Sequence, residues 1–157
     1  MKKYAKIITA ILLVSLLALT LFACINPDND SKGTMTLVIL NGDEAKEYTV
    51  DLAKLPSGDT KSTGLMAVLD YLKNEGKLTY TSQDSGYGAY LTQVGDLQEG
   101  GGKYIYVYTD VEKDIDVSEY AQQIKYKNKS YTNSGVGASQ MSIKSGCTII
   151  ITYIIYG

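Results

Sequence analysis

Four carboxylates alternate through Asp110, Glu112, Asp114 and Asp116. Three tyrosines alternate through Tyr104, Tyr106 and Tyr108, and two cysteines stand at Cys24 and Cys147. Alternating carboxylates offer the hard oxygen ligands that calcium takes in numbers. An EF-hand loop starting at Asp110 would place Ile115 at the sixth position, where glycine is needed, and Ala121 at the twelfth, where glutamate is needed. That motif fails, and a solvated acidic loop is the plainer expectation. Asp110 with Glu112, or Asp114 with Asp116, could also act as the carboxylate pair of a glycoside hydrolase. Such chemistry needs burial around one carboxylate to raise its pKa, and an exposed acidic loop is the opposite environment. No catalytic residue is assigned, and the chain is read as having no enzymatic activity of its own.

Tyrosine stands out, with 14 residues against one phenylalanine and no tryptophan. Tyr104, Tyr106 and Tyr108 fall on one face of a period-two run, while Tyr87 and Tyr90 lie beside glycines. Flat rings with hydroxyl tips suit stacking on a sugar, a corrin or a partner's aromatic surface. Aromatic residues also favour strands and pair across them in any β protein. Because Ile105 and Val107 can face a core, the tyrosine side is the better candidate for exposure. Tyr87, Tyr90, Tyr104, Tyr106 and Tyr108 are therefore the candidate ligand or partner face.

Composition removes other classes. The chain has no histidine, which excludes Ser-His-Asp and Cys-His nucleophile systems and any imidazole-containing metal site. A formal charge of −2 leaves no basic surplus for a nucleic acid. No metal or cofactor is expected. Two cysteines are too few for a disulfide framework. Cys147 opens an apolar run and is expected to be an inert buried thiol. Gly135-Val136-Gly137-Ala138 lacks the strand, long helix and acidic ribose partner of a dinucleotide site and reads as a turn. The Asn128-Lys129-Ser130 sequon carries little weight beside a bacterial export signal.

That signal is the first 23 residues. Lys2, Lys3 and Lys6 precede an apolar run from Ile7 to Ala23, the layout of an export signal. Leu21-Phe22-Ala23-Cys24 is similar to a lipobox, which implies diacylglycerol on the Cys24 sulfur and cleavage after Ala23. An uncleaved anchor and ordinary secretion are the alternatives, 17 apolar residues being marginal for a span. Residues 24–33 are polar, acidic and broken by proline and glycine, and read as a flexible tether. Cleavage removes three of the 15 lysines and leaves 12 against 17 acids, a mature charge of −5. An anionic bilayer repels such a domain weakly, so two acyl chains on Cys24 would hold it at the extracytoplasmic face of the cell membrane.

Residues 34–157 are expected to form one domain. An apolar run at Met35–Leu40 and an alternating run at Lys46–Leu52, with Tyr48, Val50 and Leu52 on one face, flank Asn41-Gly42, a strong hairpin signal. Leu65, Val68, Leu69 and Leu72 recur at helical spacing, with Ser62 or Thr63 as the expected cap and Gly76 as the stop. Leu78–Thr81 and Ala89–Val94 read as strands around Ser85-Gly86-Tyr87-Gly88, and Gly100-Gly101-Gly102 as a turn. A small hairpin about Asn128-Lys129 and a β-rich run from Cys147 to Tyr156 close the chain. One helix and several strands without βαβ alternation give an α+β domain, a β-grasp-like mixed sheet crossed by one helix.

From Thr34 to Tyr156 the chain resembles the transcobalamin-like C-terminal domain family, β-grasp-like modules of bacterial surface lipoproteins. The resemblance is carried by Met35-Thr36-Leu37-Val38-Ile39, Gly64-Leu65-Met66-Ala67-Val68-Leu69 and Gly86-Tyr87-Gly88-Ala89-Tyr90-Leu91. It continues through Tyr104–Tyr108, Ser134-Gly135-Val136-Gly137-Ala138-Ser139 and Lys144-Ser145-Gly146. It implies the module and its surface location, not the ligand. The family's aromatic-strand tryptophan is tyrosine here, and no counterpart appears of the helical domain against which transcobalamin closes over cobalamin. The expected function is a lipid-anchored extracytoplasmic binding or interaction module for an unknown small molecule or envelope protein. The alternative is a structural or assembly component of the envelope that docks a protein partner. A carboxylate hydrolase and a corrinoid binder rank below both.

Overall fold

A computed structural model describes residues 27–56 and 62–156. The leader and Cys24 lie outside the described residues. Thr34–Asn41 (β1) and Glu44–Asp51 (β2) form the antiparallel hairpin, with Asn41 opposite Glu44. Its turn sits one residue later than the Asn-Gly pair suggests. Asn41 is still in the ladder, and Gly42 takes the left-handed φ of +63° at the first central position. Tyr48, Val50 and Leu52 are buried together, as their alternation requires.

The helix α1, Leu65–Asn74, buries Leu65, Val68, Leu69 and Leu72. Each such side chain contributes about 1.5–3 kcal/mol when withdrawn from water. Gly76 follows the helix with φ +67°, the glycine stop read from the sequence. The start differs. Gly64 is the N-cap, at φ 60° and ψ −138°, and no side chain caps the helix. The Ser62 hydroxyl donates to the Asp70 carboxylate, and the Thr63 hydroxyl donates to the Ser139 carbonyl at 2.7 Å.

Further along the chain, Lys103–Thr109 is β6, Gln123–Tyr126 is β7, Lys129–Asn133 is β8 and Thr148–Ile155 is β9. With β1 and β2 they make the six-stranded main sheet, in the order β2-β1-β9-β6-β8-β7. β1 and β9 run parallel, and the remaining pairs are antiparallel. Tyr80–Ser85 (β3), Gly88–Val94 (β4) and Leu97–Gln98 (β5) form a separate three-stranded sheet. The class is α+β, strand-dominated, with one α-helix among the described residues.

Both faces of the main sheet are covered. Met35, Leu37, Ile39, Ile105, Ile149 and Ile151 pack toward α1. Val38, Tyr108, Tyr131 and Ile150 form a second cluster on the opposite face, sealed by the β7–β8 hairpin. That hairpin turns at Lys127-Asn128, both at left-handed φ (45° and 64°), one residue before the pair read from the sequence. Its tip reaches the far edge strand: the Tyr126 hydroxyl donates to Glu47 at 2.6 Å, and Lys127 pairs with the same carboxylate at 2.6 Å.

The segment before β1 is not a free tether over its described part. The Asp30 N–H donates to the Ile143 carbonyl at 2.8 Å, and the Ile143 N–H donates to Asn29 Oδ1 at 2.9 Å. The Ser145 N–H donates to the Asp30 carboxylate at 2.8 Å, and Lys144 Nζ lies 2.7 Å from Asp28 and 3.4 Å from Asp30. Lys144 holds the Asp28 carboxyl below its usual range, and the Ser145 N–H does the same for Asp30. Side chains of polar sequence read as a linker thus act as acceptors for a loop 114 residues away.

Candidate functional site

β4 and β6 belong to different sheets, and a groove of about 250 Å³ opens between them. Its apolar lining comes from Ala89, Leu91, Ile105, Val107, Val136 and Ala138, and Tyr90 and Tyr106 also line it. Gly137 brings the loop against the β3–β4 turn: its N–H donates to the Tyr87 carbonyl at 2.9 Å, and a Cβ there would lie 2.3 Å from that oxygen. The glycines at 135 and 137 therefore serve close packing.

Glu99 bridges the two sides of the groove. One carboxylate oxygen accepts the Tyr90 hydroxyl and, at 3.3 Å, the Ile105 N–H, standing where a strand carbonyl would pair. Burial and then Glu99 push the Tyr90 hydroxyl pKa upward. The Tyr106 and Tyr156 hydroxyls are 3.1 Å apart, and the Tyr104 and Tyr156 rings meet edge-on at 5.7 Å between centroids. Gln122 Nε2 donates to Tyr156 at 3.4 Å.

Of the five tyrosines singled out by pattern, Tyr90 and Tyr106 line the groove, and Tyr104 joins them through Tyr156. Tyr104 is 46% exposed. Tyr87 is 83% exposed on the turn between β3 and β4 and is not part of the groove lining. Tyr108 is a correction: at 1% exposure it belongs to the second core cluster beneath the β7–β8 hairpin. Alternation assigned its face correctly, but a distant hairpin covers that face at this position. Glu99, Gln122 and Tyr156 were not foreseen. Glu99 precedes a glycine triplet with no motif around it, and Tyr156 lay inside a run read only as strand.

The Tyr106 pKa is pushed up to about 12, first by the Tyr156 hydroxyl and then by burial. A raised phenol pKa adds stability that is complete below the ordinary value of 10.0 and is lost as pH rises through the folded value. Folding stability is thus expected to fall between about pH 10 and 12. Tyr156→Phe should bring Tyr106 back toward its ordinary value and make that alkaline loss smaller. Carbon NMR of labelled tyrosine against pH, beside urea midpoints, measures both.

The acidic stretch is a solvated loop only in part: Glu112 and Val117–Glu119 are exposed, but the other three carboxylates are engaged. Asp114 is 2% exposed and accepts from both the N–H and the hydroxyl of Ser142. Asp110 accepts the Thr148 N–H at 2.9 Å and pairs with Lys129. Asp116 accepts the Ser118 N–H at 2.8 Å and Asn133 Nδ2 at 3.2 Å. These three carboxylates fasten loops, and none of the four lines either cavity. No three of His, Cys, Asp and Glu converge among the described residues. Burial pushes the Cys147 thiol up to about 11, so it stays protonated and unreactive near neutral pH.

A larger cavity, about 430 Å³, lies between the β1–β2 hairpin and the end of α1. Lys46, Lys73 and Lys77 line it, but so do Glu44 and Asp96. Lys77 also pairs with Glu75 at 3.6 Å, and Lys73 stands over the Tyr80 ring. No single sign of charge dominates its wall.

No protein-family model matches the chain, and no curated protein is similar to it. A similar solved structure is a candidate metal binding protein from Ruminococcus gnavus ATCC 29149, 13% identical. The match covers 80% of this chain and 100% of the other, with a TM-score of 0.49. A likeness at that level says nothing about what this chain binds.

Proposed function

We propose that the protein is a lipid-anchored, extracytoplasmic binding module of β-grasp type that presents the tyrosine groove to a ligand and performs no catalysis. The observation that carries this reading is the groove itself: an apolar floor flanked by Tyr90 and Tyr106, with no nucleophile beside a base in its lining. The carboxylates of the acidic stretch support a non-catalytic reading, since Asp110, Asp114 and Asp116 are occupied by structural donors. The strand order, with β1 parallel to the last strand and a helix across the sheet, supports the β-grasp and the likeness to the transcobalamin-like C-terminal domain family. Anchoring rests on the lipobox-like residues Leu21–Cys24.

Thermal-shift measurements on the full mature protein, against sugars and corrinoids, test the site. A ligand of the groove raises the midpoint in proportion to the logarithm of its concentration, and Tyr106→Ala abolishes the rise. No rise with any ring-bearing ligand, or one that Tyr106→Ala leaves intact, would overturn the assignment of the groove.

One observation favours docking of a protein partner instead. Tyr104, Ile155 and Tyr156 are all exposed at one end of the β6–β9 pair. A photo-crosslinker at position 104 that captures a single envelope protein in cells would favour that reading.

A further inference from the structure

The residues before β1 do more than connect. Asp28, Asn29 and Asp30 bond to Ser142, Ile143, Lys144 and Ser145, and the Gly33 carbonyl accepts the Leu52 N–H at 2.9 Å. Gly33 lies so close to Ser145 that a Cβ would stand 2.0 Å from its Oγ. Asp28 is four positions on from Cys24, a reach of about 14 Å even at full extension.

We propose that this clamp holds one defined end of the domain against the lipid bilayer and turns Tyr104 and Tyr156 away from it. The proposal rests on the reading of Cys24 as lipid-bearing. The bilayer-facing end is the one where β1 begins, β2 and β6 end and β9 begins: Thr34 pairs with Asp51, Thr36 with Thr148, and Thr109 with Ile149. Along the same β6–β9 pair, Lys103 meets Ile155 at the opposite end. Ile155 lies six positions along the strand from Ile149, about 20 Å at the usual rise. Tyr104 and Tyr156, joined edge-on, therefore stand on the far side of the sheet from the anchor. Lys144 at the near end is already paired with Asp28 and Asp30, so it does not set this orientation. The short covalent reach and the clamp set it.

The test uses the mature, lipidated protein in vesicles of phosphatidylethanolamine and phosphatidylglycerol, some carrying nitroxide headgroups. A spin-sensitive fluorophore is placed at Glu112→Cys, near the clamp, or at Lys103→Cys, at the far end. The buried Cys147 thiol does not compete for the label. Quenching several-fold stronger at position 112 than at 103 is the expected result. The triple variant Asp28→Ala, Asn29→Ala, Asp30→Ala should bring the two sites close to equal while the protein stays on the vesicles. Equal quenching in the parent protein, bound to vesicles, would overturn the orientation alone. Protein that does not float with the vesicles, and whose Cys24 carries no lipid, would overturn the anchor and the orientation with it.

Discussion

Gly64→Ala destabilises the fold by about 3–5 kcal/mol, among the largest effects expected of one added methyl group. Two costs combine at this position. The backbone sits at φ 60° and ψ −138°, a combination that L side chains rarely adopt. A Cβ would also lie 2.6 Å from the Met141 carbonyl oxygen and 2.9 Å from those of Ala138 and Ser139. These are backbone atoms of the turn that also forms part of the groove wall, so they have little freedom to move aside. Gly76→Ala is the control. Gly76 has a similar φ of +67° but nothing within 4 Å of the added methyl, so it should cost only about 1 kcal/mol. Urea denaturation of both variants, with unchanged slopes, separates the clash from the backbone conformation. Equal losses at the two positions would show that the carbonyl contacts contribute nothing.

Asp114→Ala is expected to cost about 2–4 kcal/mol, because it leaves buried donors without an acceptor. The Asp114 carboxylate receives both Ser142 donors, and Ser142 is fully buried. The Ser142 hydroxyl oxygen in turn accepts the Asp28 N–H at 3.3 Å, so the loss reaches the clamp before β1. Asp114→Asn retains one side-chain oxygen and should lose less than half as much. Hydrogen exchange at the Asp30 and Ile143 amides, protected by the clamp, should accelerate in Asp114→Ala. An alanine variant as stable as the parent would mean that water reaches Ser142 and that the carboxylate is not a buried fastener.

Local signals in the sequence were read correctly where the local chain decides the outcome. The β1–β2 hairpin, the apolar stripe of α1, the stop at Gly76 and the period-two strand at Tyr104–Tyr108 all depend on neighbours a few residues away. Both hairpin turns fell one residue from their reading, because register depends on which residue keeps its ladder partner. The helix cap was missed because Gly64 is required by carbonyls more than 70 residues distant, whereas Ser62 and Thr63 looked like better caps locally. Asp114 followed the same logic. An alternating acidic run suggests water, yet its third member is drawn into the interior by Ser142. Within the candidate site, alternation identified Tyr104 and Tyr106, and the glycine-flanked turn identified Tyr90. Tyr106 also packs against the cluster that buries Tyr108 beneath the β7–β8 hairpin, with the two ring centroids 6.3 Å apart. Glu99 and Tyr156 became visible only once β4, β6 and β9 were brought together.

The proposed anchor would decide where the groove works and which end of the sheet faces outward. Intact-protein and peptide mass spectrometry of material extracted from bacterial membranes measures it directly. The expected result is an N-terminal residue at Cys24 whose sulfur carries diacylglycerol, with residues 1–23 absent. A chain that retains its leader, or one with an unmodified Cys24 sulfur, would contradict it.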